Sequence, residues 1–405
     1  MNTISLIKGG KLTFALLTLS QLLSHSASAS SWSPSNSPNI LMRDYVTDFS
    51  TLPLEKSVSV EKMPWSDTYW PSKYAAIAYR WNSNDPRYTW QNPLNHDLPP
   101  ETFIRQFPSK AQALKMTAAE IDDLSPSEKY DLFNADYNEG GWFSGGFSLT
   151  RKVMKKHRSY MAYWAGICHG WAPASIIYRE PANVTVTNKD GIKINFYSAD
   201  VKALLSWYYA NEKSPSHQLG LRCGSDLKLN PDDSTTEKCA DVNAGSLHIV
   251  LGNLIGLRNQ SFVGEISRDI EVWNNAIYGY ESQTVGTSAP TSKSAKGTVT
   301  RLQVKTTIHF ADDDESRGPE KNPNVGTMNY KSDKLDYEYF LELNAQGQII
   351  GGEWISFDRP DFLWTREAMP FDGDFKALGN IYRPAELPAN PVPGQATEKP
   401  APAGE

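Results

Sequence analysis

The chain has 405 residues, enough for one large domain with appendages or for two domains, and too many for a single small motif. Hydrophobic residues make up 40% and charged residues 21%, which excludes wholesale disorder and a multi-span membrane protein. Lys and Arg number 40 against 46 Asp and Glu, a formal net charge of −6, so the electrostatic footprint of a dedicated nucleic-acid binder is missing.

Lys8 and Lys11 precede an apolar stretch from Leu12 to Leu23, and Ala27-Ser28-Ala29 is a small-x-small cleavage site. Residues 1–29 are therefore expected to be a signal peptide, with a secreted or periplasmic mature protein and no membrane span. Residues 30–98 follow as an irregular arm or prosegment in which Trp65, Trp70, Trp81 and Trp90 recur without helical spacing. A catalytic domain is assigned to residues 99–383. It opens with helical signals from Ser109 to Ala119, and Ser125-Pro126-Ser127-Glu128 is a capping box with proline at the first helical position. Ser148 to Tyr163 resumes the helical period. Val184–Thr187 and Ile192–Phe196 flank an Asp-Gly turn and read as a hairpin, after which Ser198 is expected to cap a helix. The loop from Lys213 to Val242 holds Cys223 and Cys239, taken as a disulfide pair. In the chain-entropy model a bridge over a loop of that size stabilises by about 3 kcal/mol. Apolar strands are then predicted at Leu247–Leu251 and Ser261–Ser267. Further strands follow at Thr298–Phe310, Tyr337–Leu343 and Gln348–Ser356, so an antiparallel sheet is implied. Residues 384–405 are rich in proline and alanine and are expected to be disordered.

The third cysteine, Cys168, lies in a glycine- and aromatic-rich turn that leads into a helix. Backbone N–H groups at a helix start favour thiolate over thiol, so Cys168 is a candidate nucleophile, though a buried free cysteine is the plainer alternative. A cysteine nucleophile needs a base and the base needs an acceptor that orients it. His248 and Asp269, on the two predicted neighbouring strands, could fill those roles. His169 is the rival base, but as the direct neighbour of Cys168 it would point roughly 100° away. Trp164 could supply an oxyanion N–H or simply pack. Trp171 and Trp273 could wall the site against water, and Asn274 is a further oxyanion or substrate-wall candidate.

Several runs resemble the transglutaminase-elicitor family, associated with oomycete cell-wall elicitors and present in bacteria. They are Trp164-Ala165-Gly166-Ile167-Cys168-His169-Gly170-Trp171-Ala172-Pro173-Ala174, the approach Cys239–Asn243 to Leu247–Leu251, and Arg268-Asp269-Ile270-Glu271-Val272-Trp273-Asn274. Ser125–Leu132 and Ile350–Trp354 add to the match, which spans roughly residues 65–364. The resemblance implies an α+β fold with a papain-like, transglutaminase-like cysteine core, in which a helix carrying the cysteine packs on an antiparallel sheet carrying the histidine and aspartate. It implies a protein-glutamine γ-glutamyltransferase with the triad Cys168, His248 and Asp269. The reaction would form a thioester with protein glutamine side chains and pass the acyl group to lysine or other primary amines. It also implies calcium and no organic cofactor. The densest cluster of oxygen ligands is Asp312, Asp313, Asp314 and Glu315, although acidic runs are usually solvated loops. Two other readings stand beside the transferase. One is a papain-like cysteine peptidase or amidase, for which Asn274 could replace Asp269 as third member. The other is a secreted elicitor or binding protein without enzymatic activity.

Overall fold

The structure is a computed structural model that describes residues 32–80, 108–137, 148–156, 161–222, 241–268, 271–313 and 330–387. The signal segment, the Cys223–Cys239 pair, Asp269, Asp314 and Glu315 lie outside the described residues, as do residues 81–98 of the arm and the tail beyond 387.

Short helices α1 (Lys110–Ala113) and α2 (Ala118–Asp122) begin with reciprocal capping boxes at Ser109 and Thr117. The predicted box at Ser125 starts α3 (Pro126–Phe133). Asp131 on α3 then accepts hydrogen bonds from the backbone N–H groups of Leu149 and Thr150, fixing the start of α4 (Leu149–Lys156). Helix α5 (Cys168–Ile177) packs on α6 (Ser198–Asn211), and the chain segment that joins them forms the hairpin β2 (Val184–Thr187) and β3 (Lys193–Phe196). Gly191 in that hairpin has φ +86°, the left-handed region its turn needs. Helix α6 begins one residue earlier than expected: Tyr197 is its cap, bonded through its backbone N–H to Asp200, and Ser198 is the first helical residue.

The sheet is wholly antiparallel. Its strands are β1 (Glu55–Ser57), β4 (Ser216–Gly220), β5 (Phe262–Glu265), β6 (Asn274–Ser288), β7 (Thr300–Ala311), β8 (Ser332–Leu343), β9 (Ile349–Trp354) and β10 (Phe362–Arg366). The order is β4-β10-β5-β6-β7-β8-β9, and β1 joins β6 just beyond the point where β5 leaves it. Strand β6 was not legible in the sequence, where residues 282–296 read as a polar stretch. It exists because β7 pairs with it from Ala276↔Ala311 to Ser288↔Arg301, and its Thr and Val side chains suit a pleated surface. Strands β4 and β10 were missed for the same reason, each being short and paired to the other.

One prediction is reversed. The run Leu247–Leu251 is not a strand: it lies in helix α7 (Ala244–Val250), which continues as a π-helix over Leu251–Leu257. Asn243 caps it through Gly245 N–H at 2.9 Å, and every residue of α7 is buried. A short run that is apolar on all sides carries no period that separates helix from strand. The helix meets β9 almost backbone to backbone, since a Cβ on Gly245 would stand 2.4 Å from the Gly351 carbonyl oxygen.

The described part of the arm, residues 32–80, belongs to the core. Trp65 and Trp70 are buried, the Trp65 indole N–H bonds the Tyr178 carbonyl, and the Trp171 indole N–H bonds the Trp65 carbonyl. At the other end, residues 384–387 depart from the expected disordered tail. Pro384 bridges to Pro181, and Ala385 donates its N–H to the Glu180 carbonyl at 2.7 Å.

Candidate active site

Cys168 opens α5, where the first N–H groups of a helix have no intrahelical acceptor. The turn before it is held by the arm. Ile167 N–H bonds the Tyr69 carbonyl and Ser72 N–H bonds the Ala165 carbonyl, both at 2.8 Å. A Cβ on Gly166 would stand 2.3 Å from the Tyr69 carbonyl oxygen, so this close approach requires glycine.

Cys168 is 5% exposed. Its Sγ lies 3.8 Å from the Val272 carbonyl oxygen, to which the thiol donates, and it accepts from Asn274 Nδ2 at 3.5 Å. Burial pushes the thiol above its ordinary range. The backbone and side-chain N–H groups of Asn274 and the backbone N–H of His169 pull it down, while the charge of Glu265 pushes it up. Asn274 Oδ1 in turn accepts the Trp364 indole N–H at 2.9 Å. Glu265 on β5 stands in register with Asn274 on β6. Its carboxylate accepts the Trp273 backbone N–H and, more weakly, the N–H and hydroxyl of Ser267. Burial, reinforced by the charge of Asp361, raises its pKa to about 8. One peptide group therefore separates the two: the Val272 carbonyl faces Cys168, and the Trp273 N–H of the same peptide faces Glu265.

The structure does not bring His248 to Cys168. On α7, His248 Nδ1 pairs with the Tyr339 hydroxyl at 2.8 Å, its ring stacks on Phe49, and its buried Nε2 has no hydrogen-bond partner. The Tyr339 hydroxyl also meets Thr306, which is opposite Ser282 on β6. Asn274, beside the sulfur, is eight residues back along that strand, about 26 Å at 3.3 Å per residue. His169, the rival base, turns its ring to the backbone of Ala210. Among the described residues no histidine is hydrogen-bonded to Cys168.

Burial lowers the pKa of His248 to about 4. The folded chain thus refuses a proton that the unfolded chain takes up near pH 6.5, and stability is lost as pH falls from about 6.5 to about 4. Against a His248→Gln variant, the native chain should lose about 2 kcal/mol of relative stability between pH 7 and pH 4.5 in urea titrations. A pH-independent difference would mean that the imidazole is not excluded from protonation.

The family model described as transglutaminase elicitor matches residues 42–386. The chain belongs to the transglutaminase elicitor family. Its fold is similar to the crystal structure of the GP42 transglutaminase from Phytophthora sojae, with a TM-score of 0.50 and 19% identity, over 83% of this chain and 92% of that one. No curated protein matches the sequence.

In this family member the aromatic residues singled out from sequence divide. Trp171 is a buried strut between α5 and the arm. Trp273 packs edge-on against Tyr69, with ring centroids 5.1 Å apart, and its indole N–H bonds Glu271. The half-buried Trp164 indole makes no hydrogen bond among the described residues, and the donor at the sulfur is Asn274. Of the acidic run, only Asp312 and Asp313 lie among the described residues. Asp312 is ion-paired with Lys331 at 3.1 Å, and Asp313 accepts the Tyr69 N–H. Among the described residues no three His, Cys, Asp or Glu side chains are grouped to hold a metal. Glu265 and Trp364 went unnoticed in the sequence. The available signal was an acid inside the apolar run Phe262-Val263-Gly264-Glu265, which a buried strand tolerates only with partners.

Proposed function

We propose that this chain is a cysteine-dependent acyltransferase of the transglutaminase type, with Cys168 as its nucleophile. One observation carries the reading: the sulfur sits at a helix start with N–H groups of Asn274 and His169 directed at it. Those donors stabilise a thiolate. In the first step sulfur attacks the γ-carboxamide carbon of a protein glutamine, the C–N bond breaks, and ammonia leaves with the thiol's proton. In the second, a lysine or other primary amine attacks the thioester, and the thiol is restored as the isopeptide forms. His248 takes no part, because its ring is committed to Tyr339 and Phe49. The resting sulfur is covered, so a glutamine side chain reaches it only when the segment carrying Val272 shifts. Once seated there it is screened from water, which favours amine over hydrolysis. The signal-peptide profile supports action outside the cytoplasm, on exported or neighbouring proteins.

A second reading draws on the burial of the thiol: a binding protein whose Cys168 is unreactive. Incorporation of a fluorescent primary amine into a glutamine-rich protein separates the two, with and without calcium. The transferase reading expects incorporation by the wild type and a loss of at least about a thousandfold in Cys168→Ala. If the wild type incorporates no amine, or Cys168→Ala retains the activity, the reading fails. Peptide cleavage without incorporation would point to a peptidase.

A further inference from the structure

We propose that Trp364 is a positioning residue for Cys168, acting through Asn274: its indole N–H fixes the orientation of the Asn274 amide so that an N–H, and not the carbonyl oxygen, faces the sulfur. The inference rests on Cys168 being the nucleophile, and it is read out on the thiol itself.

Donors and acceptors set the orientation of the amide. A primary amide has an acceptor end and a donor end of nearly equal size, so sterics alone do not choose between its two orientations. The indole of tryptophan only donates. Trp364 Nε1 lies 2.9 Å from Asn274 Oδ1, and any flip would set two N–H groups against each other. The acceptor end is thereby spent on Trp364, and Nδ2 is left 3.5 Å from Cys168 Sγ. Asn274 is buried, so no solvent competes for either end. Both residues stand on strands paired to β5. Asn274 opens β6 opposite Glu265 of β5, and Trp364 on β10 stands opposite Val263 of the same strand. Two residues far apart in sequence are thus held across β5, with the amide spanning from the indole to the sulfur.

The chemical consequence is directional. A thiolate is a strong acceptor and a thiol a weak one, so an N–H aimed at sulfur favours ionisation, and a carbonyl aimed there opposes it. As the sulfur becomes a thioester, the same N–H is freed next to the carbonyl carbon under attack, where developing oxyanion charge needs a donor. Asn274 can serve both states, but only in the orientation that Trp364 imposes.

The test is the pH dependence of Cys168 alkylation by iodoacetamide, measured on the full chain for wild type, Trp364→Phe, Asn274→Ala and Asn274→Asp. Trp364→Phe keeps an aromatic ring in place and removes the N–H. It is expected to slow alkylation at pH 8 about tenfold and to move the profile to higher pH. Asn274→Ala should do the same or slightly more. Asn274→Asp is nearly isosteric and puts a carboxylate at the sulfur, so its loss should exceed that of alanine. A Trp364→Phe variant that melts with the wild type and alkylates with an unchanged profile overturns the role of Trp364. If Asn274→Asp and Asn274→Ala also leave the profile unchanged, the amide does not act on the sulfur at all. Amine incorporation plays no part in this readout, so failure of the transferase reading leaves the alkylation result standing.

Discussion

Alkylation of Cys168 in the native chain is expected to be slow at pH 7 and to accelerate up to and beyond pH 9. An ordinary cysteine with a pKa of about 8.5 is only about 3% thiolate at pH 7. Burial holds this thiol higher still, and the N–H groups of Asn274 and His169 offset only part of that. The rate at pH 7 should therefore lie at least about thirtyfold below its alkaline limit. Glu265 adds a second feature. Its carboxyl, raised to about 8 by burial and then by Asp361, is neutral below that pH and charged above it. As it ionises it opposes thiolate formation across the Val272–Trp273 peptide. Glu265→Gln keeps an acceptor for the Trp273 N–H and never acquires the charge. The variant should match the wild type at pH 6 and alkylate several-fold faster at pH 9. A rate already at its plateau by pH 7 would show a preformed thiolate, and equal rates at pH 9 would show that the Glu265 charge does not reach the sulfur.

The greatest loss of stability is expected from Lys129→Met. Lys129 on α3 and Asp200 on α6 form an ion pair at 2.7 Å with both side chains fully buried, and the ammonium stands 4.8 Å from the centroid of the Tyr197 ring. Asp200 also accepts the Tyr197 N–H that starts α6. Methionine fills much the same volume, so cavity formation contributes little. What it removes is the cation of a buried ion pair, a fault that costs about 3–5 kcal/mol. Chemical denaturation should show that loss. The double variant Lys129→Met with Asp200→Asn should recover most of it, since the charge is then gone and the cap retains an acceptor. A single-variant loss below about 1 kcal/mol would mean that Asp200 finds another counter-charge. The pair matters to the site because α6 is the helix against which α5 lies, so closely that a Cβ on Gly170 would stand 2.1 Å from the Ser206 carbonyl oxygen.

Local signals in this chain were read well where each segment determines its own conformation. Ser125-Pro126-Ser127-Glu128 caps α3 because all the groups in that box belong to four consecutive residues. The Asp-Gly turn closes the β2–β3 hairpin for the same reason. Strands β7, β8 and β9 alternate strongly enough to be found, with ends displaced by a few residues. Other segments take the state set by what packs against them, which their own residues do not show. Leu247–Val250 is as apolar as a strand, but it sits on β8 and β9 as a helix, and that change of element carries His248 away from Cys168. Strand β6 shows the converse, a polar tail made into a strand by its long ladder with β7.

The sequence by itself singled out Cys168, its glycine- and aromatic-rich turn, and the family to which the chain belongs, because these are contiguous and carry their pattern along the chain. Only the tertiary structure decided which groups meet the sulfur. Asn274, Glu265 and Trp364 come from three different strands and are brought together by the pairing of β10 and β6 to β5. Strand pairing is non-local, and an asparagine, a glutamate and a tryptophan scattered over 100 residues carry no mark of their neighbours until the register is set. The same folding that assembled them buried the thiol, and so made its ionisation depend on the few N–H groups the strands aim at it.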